Sequence, residues 1–215
     1  MDKEKNNSAA KIFDKYAAQY EAKYMDIGHY RKSLDIFCER LSTSNPELLE
    51  LACGPGNITR YLAYKIPLSN ILATDLSQAM LELAQKNNPN ISTALLDLRS
   101  ISDLKSKFDG IVCGFGLPYI SGGEVQKLVK DSNDLLKENG LIYFSLIENS
   151  ATPADSCKSK DNSGDELFTY YHDEDFIKKA FDQNNIQLIE ISRVKTEENS
   201  EFEIDLIMIG KKTSI

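Results

Sequence analysis

Fifteen residues constrain this chain more than any others: Leu48 to Leu62, reading LLELACGPGNITRYL. The apolar start is short and set off upstream by Asn45-Pro46, as in a parallel strand buried on both faces. Ala52-Cys53-Gly54-Pro55-Gly56 then places small residues where the backbone must bend sharply and lie close to a ligand. Asn57 suits the N-cap of a following helix, in which Ile58, Tyr61, Leu62 and Ile66 recur at helical spacing. Strand, glycine turn and helix together make a ligand cradle. A tight turn that binds nothing is the alternative, and the residues around it decide.

Glu50 stands two residues ahead of Ala52, where it can accept hydrogen bonds or face a cationic ligand. A dinucleotide fingerprint wants G-x-G-x-x-G/A with pyrophosphate on the helix N-terminus. Here Gly54-x-Gly56 continues as Asn57-Ile58-Thr59, so the third small residue is missing, and an acid at the strand end repels pyrophosphate. The stretch resembles motif I of class I S-adenosylmethionine (SAM)-dependent methyltransferases, usually E/D-x-G-x-G-x-G, with Ala52 in place of the first glycine. That resemblance implies that Glu50, Ala52, Gly54 and Gly56 contribute to cofactor binding.

Asn70 to Thr74 forms a second strand ending in Asp75, about 20 residues beyond the glycine turn, where an α/β site sets a carboxylate on a ribose. Leu76, Ser77 and Met80 follow, and the run ATDLSQAML is similar to motif II of the same family. The resemblance adds Leu76 and Met80 to the cofactor set. It also gives Asp97 to the adenine amino group and Leu98 to the ring, although Asp97 equally suits a cap on the short turn beyond it. Gly114-Phe115-Gly116-Leu117-Pro118-Tyr119 lacks any period and resembles motif IV, which implies cofactor contact at Gly114 and acceptor contact at Phe115 and Tyr119. Upstream, Phe13, Tyr16, Tyr20 and Tyr24 step by three or four residues onto one helix face. By resemblance this segment folds over the site as a lid, with Tyr20 near the sulfonium and Tyr16 toward the acceptor. An aromatic stripe packed on the core is the competing reading.

Strands alternating with helices and closing on a terminal hairpin imply an α/β, doubly wound, mostly parallel sheet. The family resemblance makes it seven-stranded in the order 3-2-1-4-5-7-6, strand 7 antiparallel, with N-terminal lid helices. A single methyltransferase domain over 1–215 is expected. Within it, 1–10 is a disordered lead, 11–42 a helical lid, and the polar aperiodic 148–166 a flap or a tolerated insertion.

A net charge of −8 with no basic run disfavours a nucleic-acid partner. No apolar run approaches the ~20 residues that a membrane helix needs, and MDKEKNNSAAK has no apolar signal region, so a reducing cytoplasm is the expected home. Four scattered cysteines and two histidines are too few ligands for a His/Cys metal site. The implied cofactor is SAM, its product S-adenosylhomocysteine, and the implied partner a small-molecule acceptor; a homodimer stays open. No catalytic residue is assigned. His29 or His172 would serve as a base if the acceptor were a hydroxyl or a protonated amine, against the commoner surface or capping role. A non-catalytic SAM-binding domain and an NAD-dependent oxidoreductase remain as alternatives.

Overall fold

The computed structural model describes residues 2–152, 156–162 and 165–213. Its centre is a seven-stranded sheet built from β1 (Glu47–Leu51), β2 (Asn70–Asp75), β3 (Ser92–Leu95), β4 (Phe108–Gly114), β5 (Leu136–Asn149), β8 (Ile186–Val194) and β9 (Glu203–Lys212). The spatial order is β3-β2-β1-β4-β5-β9-β8. Strands β1 to β5 pair in parallel, and β9 runs antiparallel to both of its neighbours. Leaving aside a separate two-stranded hairpin, β6 (Ser156–Asn162) and β7 (Asp165–Tyr171), this is the expected 3-2-1-4-5-7-6 arrangement.

Consecutive strand residues face opposite sides, so the apolar runs feed two cores. Leu49, Leu51, Ile111, Cys113 and Phe144 face α6 (Gly122–Leu135) and α7 (Glu174–Asp182). Leu48, Val112, Tyr143 and Ile207 face α3 (Arg31–Arg40), α4 (Asn57–Lys65) and α5 (Gln78–Asn87). Phe37 of α3 is fully buried and meets the Tyr143 ring edge-on, with centroids 6.0 Å apart.

Three segments differ from the sequence reading. The backbone is helical from Asp2, in α1 (Asp2–Lys15), where a disordered lead over 1–10 was expected. A break at Tyr16, whose φ and ψ are −112° and 18°, separates α1 from α2 (Ala17–Tyr24), turning the aromatic stripe between two helices. The aperiodic 148–166 is largely strand: β5 runs on to Asn149, and β6 and β7 follow, with 153–155 and 163–164 outside the described residues. Helix α6 stops at Leu135. There Lys212 Nζ donates to the carbonyls of Asn133 and Leu136, ending the helix with a cation.

Because Phe37 plugs the sheet where Gly110 leaves no room for a side chain, Phe37→Ala is expected to cost about 3–5 kcal/mol. Urea unfolding of the two proteins measures this.

Candidate functional site

The parallel strands end on one side of the sheet, and a cavity opens there. Its wall includes Ala52 and Gly54 from the turn after β1, Asp75, Leu76 and Met80 from the end of β2 onward, and Leu96, Asp97, Leu98 and Arg99 beyond β3. Gly114, Phe115, Gly116, Tyr119 and Ile120 come from the loop after β4; Ala9, Ala10, Phe13 and Tyr20 come from α1 and α2.

The turn after β1 alternates left-handed residues: Ala52 at φ 51°, Gly54 at 54° and Gly56 at 80°. That alternation is the physical content of a glycine at every second position. Ala52 holds the strain alone, at about 1–2 kcal/mol. Gly56, not Asn57, is the N-cap of α4. A Cβ on Gly56 would lie 2.3 Å from Asn88 Nδ2, which donates to the carbonyls of Gly56 and Ala84. Asn57 instead donates from Nδ2 to the Tyr24 carbonyl at 2.8 Å, anchoring the lid.

Asp75 fixes the turn. Its Oδ2 accepts from the Gly54 N–H at 2.9 Å and its Oδ1 from the Ser77 N–H at 2.9 Å. Burial pushes its carboxyl above the usual range, an effect these backbone donors oppose and Asp14 reinforces. Asp97 lies in the wall yet is heavily engaged: it caps the helical turn Leu98–Asp103 and binds the Arg99 guanidinium side-on, with Nε at 2.8 Å. The sequence alternatives for Asp97, ligand wall and cap, therefore coexist. Arg99 also reaches Glu124 at 3.4 Å.

Over the mouth, Phe13 meets Tyr20 edge-on at 5.7 Å and Tyr119 at 5.0 Å. Tyr20 Cε1 lies 3.7 Å from where a Cβ on Gly54 would sit, so the ring hangs over the turn. Burial pushes the phenols of Tyr20 and Tyr119 well above their ordinary range, so both stay neutral. Phe115, at φ 56°, is held by its N–H donating to Ser145 Oγ at 3.0 Å.

Several expected residues lie elsewhere. Glu50 is not in the wall: it is buried behind the turn and accepts from Thr59 Oγ1 at 2.6 Å, joining β1 to α4. Gly56 acts through the helix cap. Tyr16 lies outside the wall, with Lys15 Nζ 5.0 Å from its ring centroid. Neither histidine reaches the cavity. His29 is exposed, and His172 lies behind the wall with Nε2 3.0 Å from the Ile120 carbonyl. Sequence reasoning left out Ala9, Ala10, Leu96, Arg99 and Ile120, which carry no motif; Gly116 was visible only as part of a loop. Among the described residues, no group of three His, Cys, Asp or Glu is arranged to hold a metal, and no helix is long and apolar enough to cross a membrane.

A parallel sheet with a reversed last strand and a ligand turn after its first strand defines the class I methyltransferase fold. Residues 48–140 match the family described as "Methyltransferase domain". The chain is 32% identical over 108 residues to a malonyl-[acyl-carrier protein] O-methyltransferase of Acetivibrio thermocellus, covering 48% of this chain and 36% of that protein. It is 28% identical over 143 residues to the demethylmenaquinone methyltransferase of Thermotoga maritima, covering 65% of this chain and 62% of that protein. The chain thus spans about half the length of the curated relatives it matches. In fold it is similar to the crystal structure of a Burkholderia thailandensis 1,6-didemethyltoxoflavin-N1-methyltransferase with bound 1,6-didemethyltoxoflavin and S-adenosylhomocysteine. The TM-score is 0.75 at 16% identity, over 100% of this chain and 91% of that one. Residues 48–140 are thus similar to a methyltransferase domain, set in a fold that methyltransferases share.

The buried Glu50 gives the site a pH signature. Burial, which outweighs the Thr59 hydrogen bonds, pushes its carboxyl up to about 8. An acid raised on folding binds a proton that the unfolded chain has lost, so its contribution is present at low pH and disappears as pH rises through about 8. Glu50→Gln keeps an acceptor for Thr59 without the titration. Relative to wild type, this variant is expected to gain stability between pH 5.5 and 8.5, read as the difference in thermal midpoints at each pH.

Proposed function

We propose that the chain binds SAM in this cavity and transfers its methyl group to a small-molecule acceptor. The observation that carries the reading is the placement of Asp75: a buried carboxylate in the cavity wall, held by the Gly54 and Ser77 N–H groups. Each oxygen already accepts one backbone donor and retains a lone pair, which suits the two hydroxyls of a ribose. Leu76, Met80 and Leu98 offer apolar surface for a flat base, with Asp97 at the rim of that surface. Ala52 and Gly54 bring the backbone close without side-chain bulk.

SAM supplies a sulfonium-bound methyl that leaves with the neutralisation of its own charge. The protein's share is therefore to bind, orient and exclude water. Tyr20, Tyr119 and Phe115 present neutral aromatic faces and edges around the turn, and a cation near such a face gains roughly 0.5–2 kcal/mol. Holding the acceptor at near-attack distance is worth ~7–11 kcal/mol, which is sufficient without an acid–base residue. On the lid side of Asp75 the wall is Phe13, Phe115, Tyr119 and Ile120, which favours a flat and largely apolar acceptor. Thr59 stands where a dinucleotide fingerprint has its third small residue, which speaks against a nicotinamide dinucleotide.

Asp75→Asn is expected to weaken SAM binding at least tenfold by calorimetry and to lower the thermal midpoint by several degrees, because one of its oxygens becomes a donor facing a backbone N–H. Unchanged affinity in the folded variant would remove the ribose assignment. Release of S-adenosylhomocysteine during a screen of flat acceptors tests the transfer itself, whereas SAM binding without release across that screen would favour a non-catalytic binding domain.

A further inference from the structure

Helix α1 is fastened as well as laid over the cavity. Asp14, in its last turn, reaches the N-terminus of α5. There its Oδ1 accepts from Ser77 Oγ at 2.5 Å and from the Ala79 N–H at 3.0 Å. Ser77 is fully buried. Its own N–H donates to Asp75 Oδ1 at 2.9 Å, and its Oγ accepts from the Met80 N–H at 3.1 Å. A single residue thus holds the lid carboxylate with its side chain and the site carboxylate with its backbone. The polar ties of α2 lie apart from this point. Glu21 accepts from Asn87 at 2.7 Å, the Tyr24 carbonyl from Asn57 at 2.8 Å, and the Met25 carbonyl from Arg60 at 3.1 Å.

We propose that Asp14 is a positioning residue that latches α1 over the cavity through Ser77 and couples the seating of this lid to occupancy of the Asp75 subsite. The coupling rests on the adenosyl reading of that subsite. Two carboxylates share one helix N-terminus, which favours an anion but makes the second one more costly. Hydroxyl donors arriving at Asp75 spread its charge, so Asp14 sits more easily beside it. By reciprocity, a seated Asp14 makes Asp75 the better acceptor.

Limited trypsin digestion of the full chain tests this, because Lys11 and Lys15 flank the latch on α1 and are cut when the helix lifts. Lys105, in the exposed loop before β4, is the internal reference, because it lies outside the lid and its rate reports any change not specific to α1. Without ligand, Asp14→Ala is expected to be cut at Lys11 and Lys15 about tenfold faster than wild type. Cutting at Lys105 stays unchanged. Asp14→Asn, which keeps the accepting oxygen, follows wild type. Saturating S-adenosylhomocysteine slows lid cleavage in wild type, and much less in Asp14→Ala, which lacks the latch, and in Asp14→Asn, which lacks the charge. Equal unliganded lid cleavage in Asp14→Ala and wild type overturns the latch, as does a matching acceleration at Lys105. If wild type gives no heat of binding with S-adenosylhomocysteine, the adenosyl reading and the coupling fall together, while the unliganded rates still judge the latch.

Discussion

The site depends on one buried carboxylate shared between two backbone N–H groups. Asp75 ends β2, yet the donors it holds belong to the turn after β1 and the start of α5. Parallel pairing of β1 with β2 in the register Leu51↔Thr74 brings those pieces side by side. Without the carboxylate, the Gly54 and Ser77 donors would lose their acceptor near the protein interior, which is costly. The turn would then lose one of the bonds that oppose its left-handed strain. The charge that organises the loops is also the charge left facing the cavity.

A second acid directly behind the first looks like a liability, and its protonation resolves it. Glu50 is buried, held by Thr59, and raised to about 8. The titratable neighbours around it, Asp75, Cys53 and Cys113, add no cation; burial raises both thiols as well. At neutral pH Glu50 is therefore mostly the uncharged acid, and the cavity faces one carboxylate at the turn instead of two. Glu50 serves the turn mechanically, by pinning the first turn of α4 to β1, and leaves Asp75 as the turn's carboxylate in the cavity wall.

How much of this could be read in the sequence follows from how local each cause is. The strands announced themselves because both faces are buried, and the order followed from connection rules together with family resemblance. Asp75, Leu76, Met80 and Leu98 lay near motif spacings and do line the cavity. Glu50 matched the motif as well, but whether an acid faces ligand or helix depends on where Thr59 points, nine residues away on another element. The β6–β7 hairpin escaped because its polar residues show no alternation over the part expected as a flap. Asp14 was invisible for a deeper reason: its partner is 63 residues away, and no spacing rule reaches that far.

The cover over the cavity is built from both halves of the chain, and this bears on how the site opens. Helix α1 packs on β7, and β7 packs in turn on the helical turn Leu117–Tyr119. Phe13 joins the same seam from the lid side through the Tyr119 ring. Lifting α1 therefore bares β7 and Tyr119 together, and strips one wall of the cavity along with its roof. The turn after β1, by contrast, is fixed from below by Asp75, Glu50 and Asn88. A floor with its own backbone bonds, under a roof tied to it at Ser77, allows the turn to persist while the Tyr119 side opens. That division of labour is what a two-substrate site requires, because one ligand must stay oriented while the other arrives.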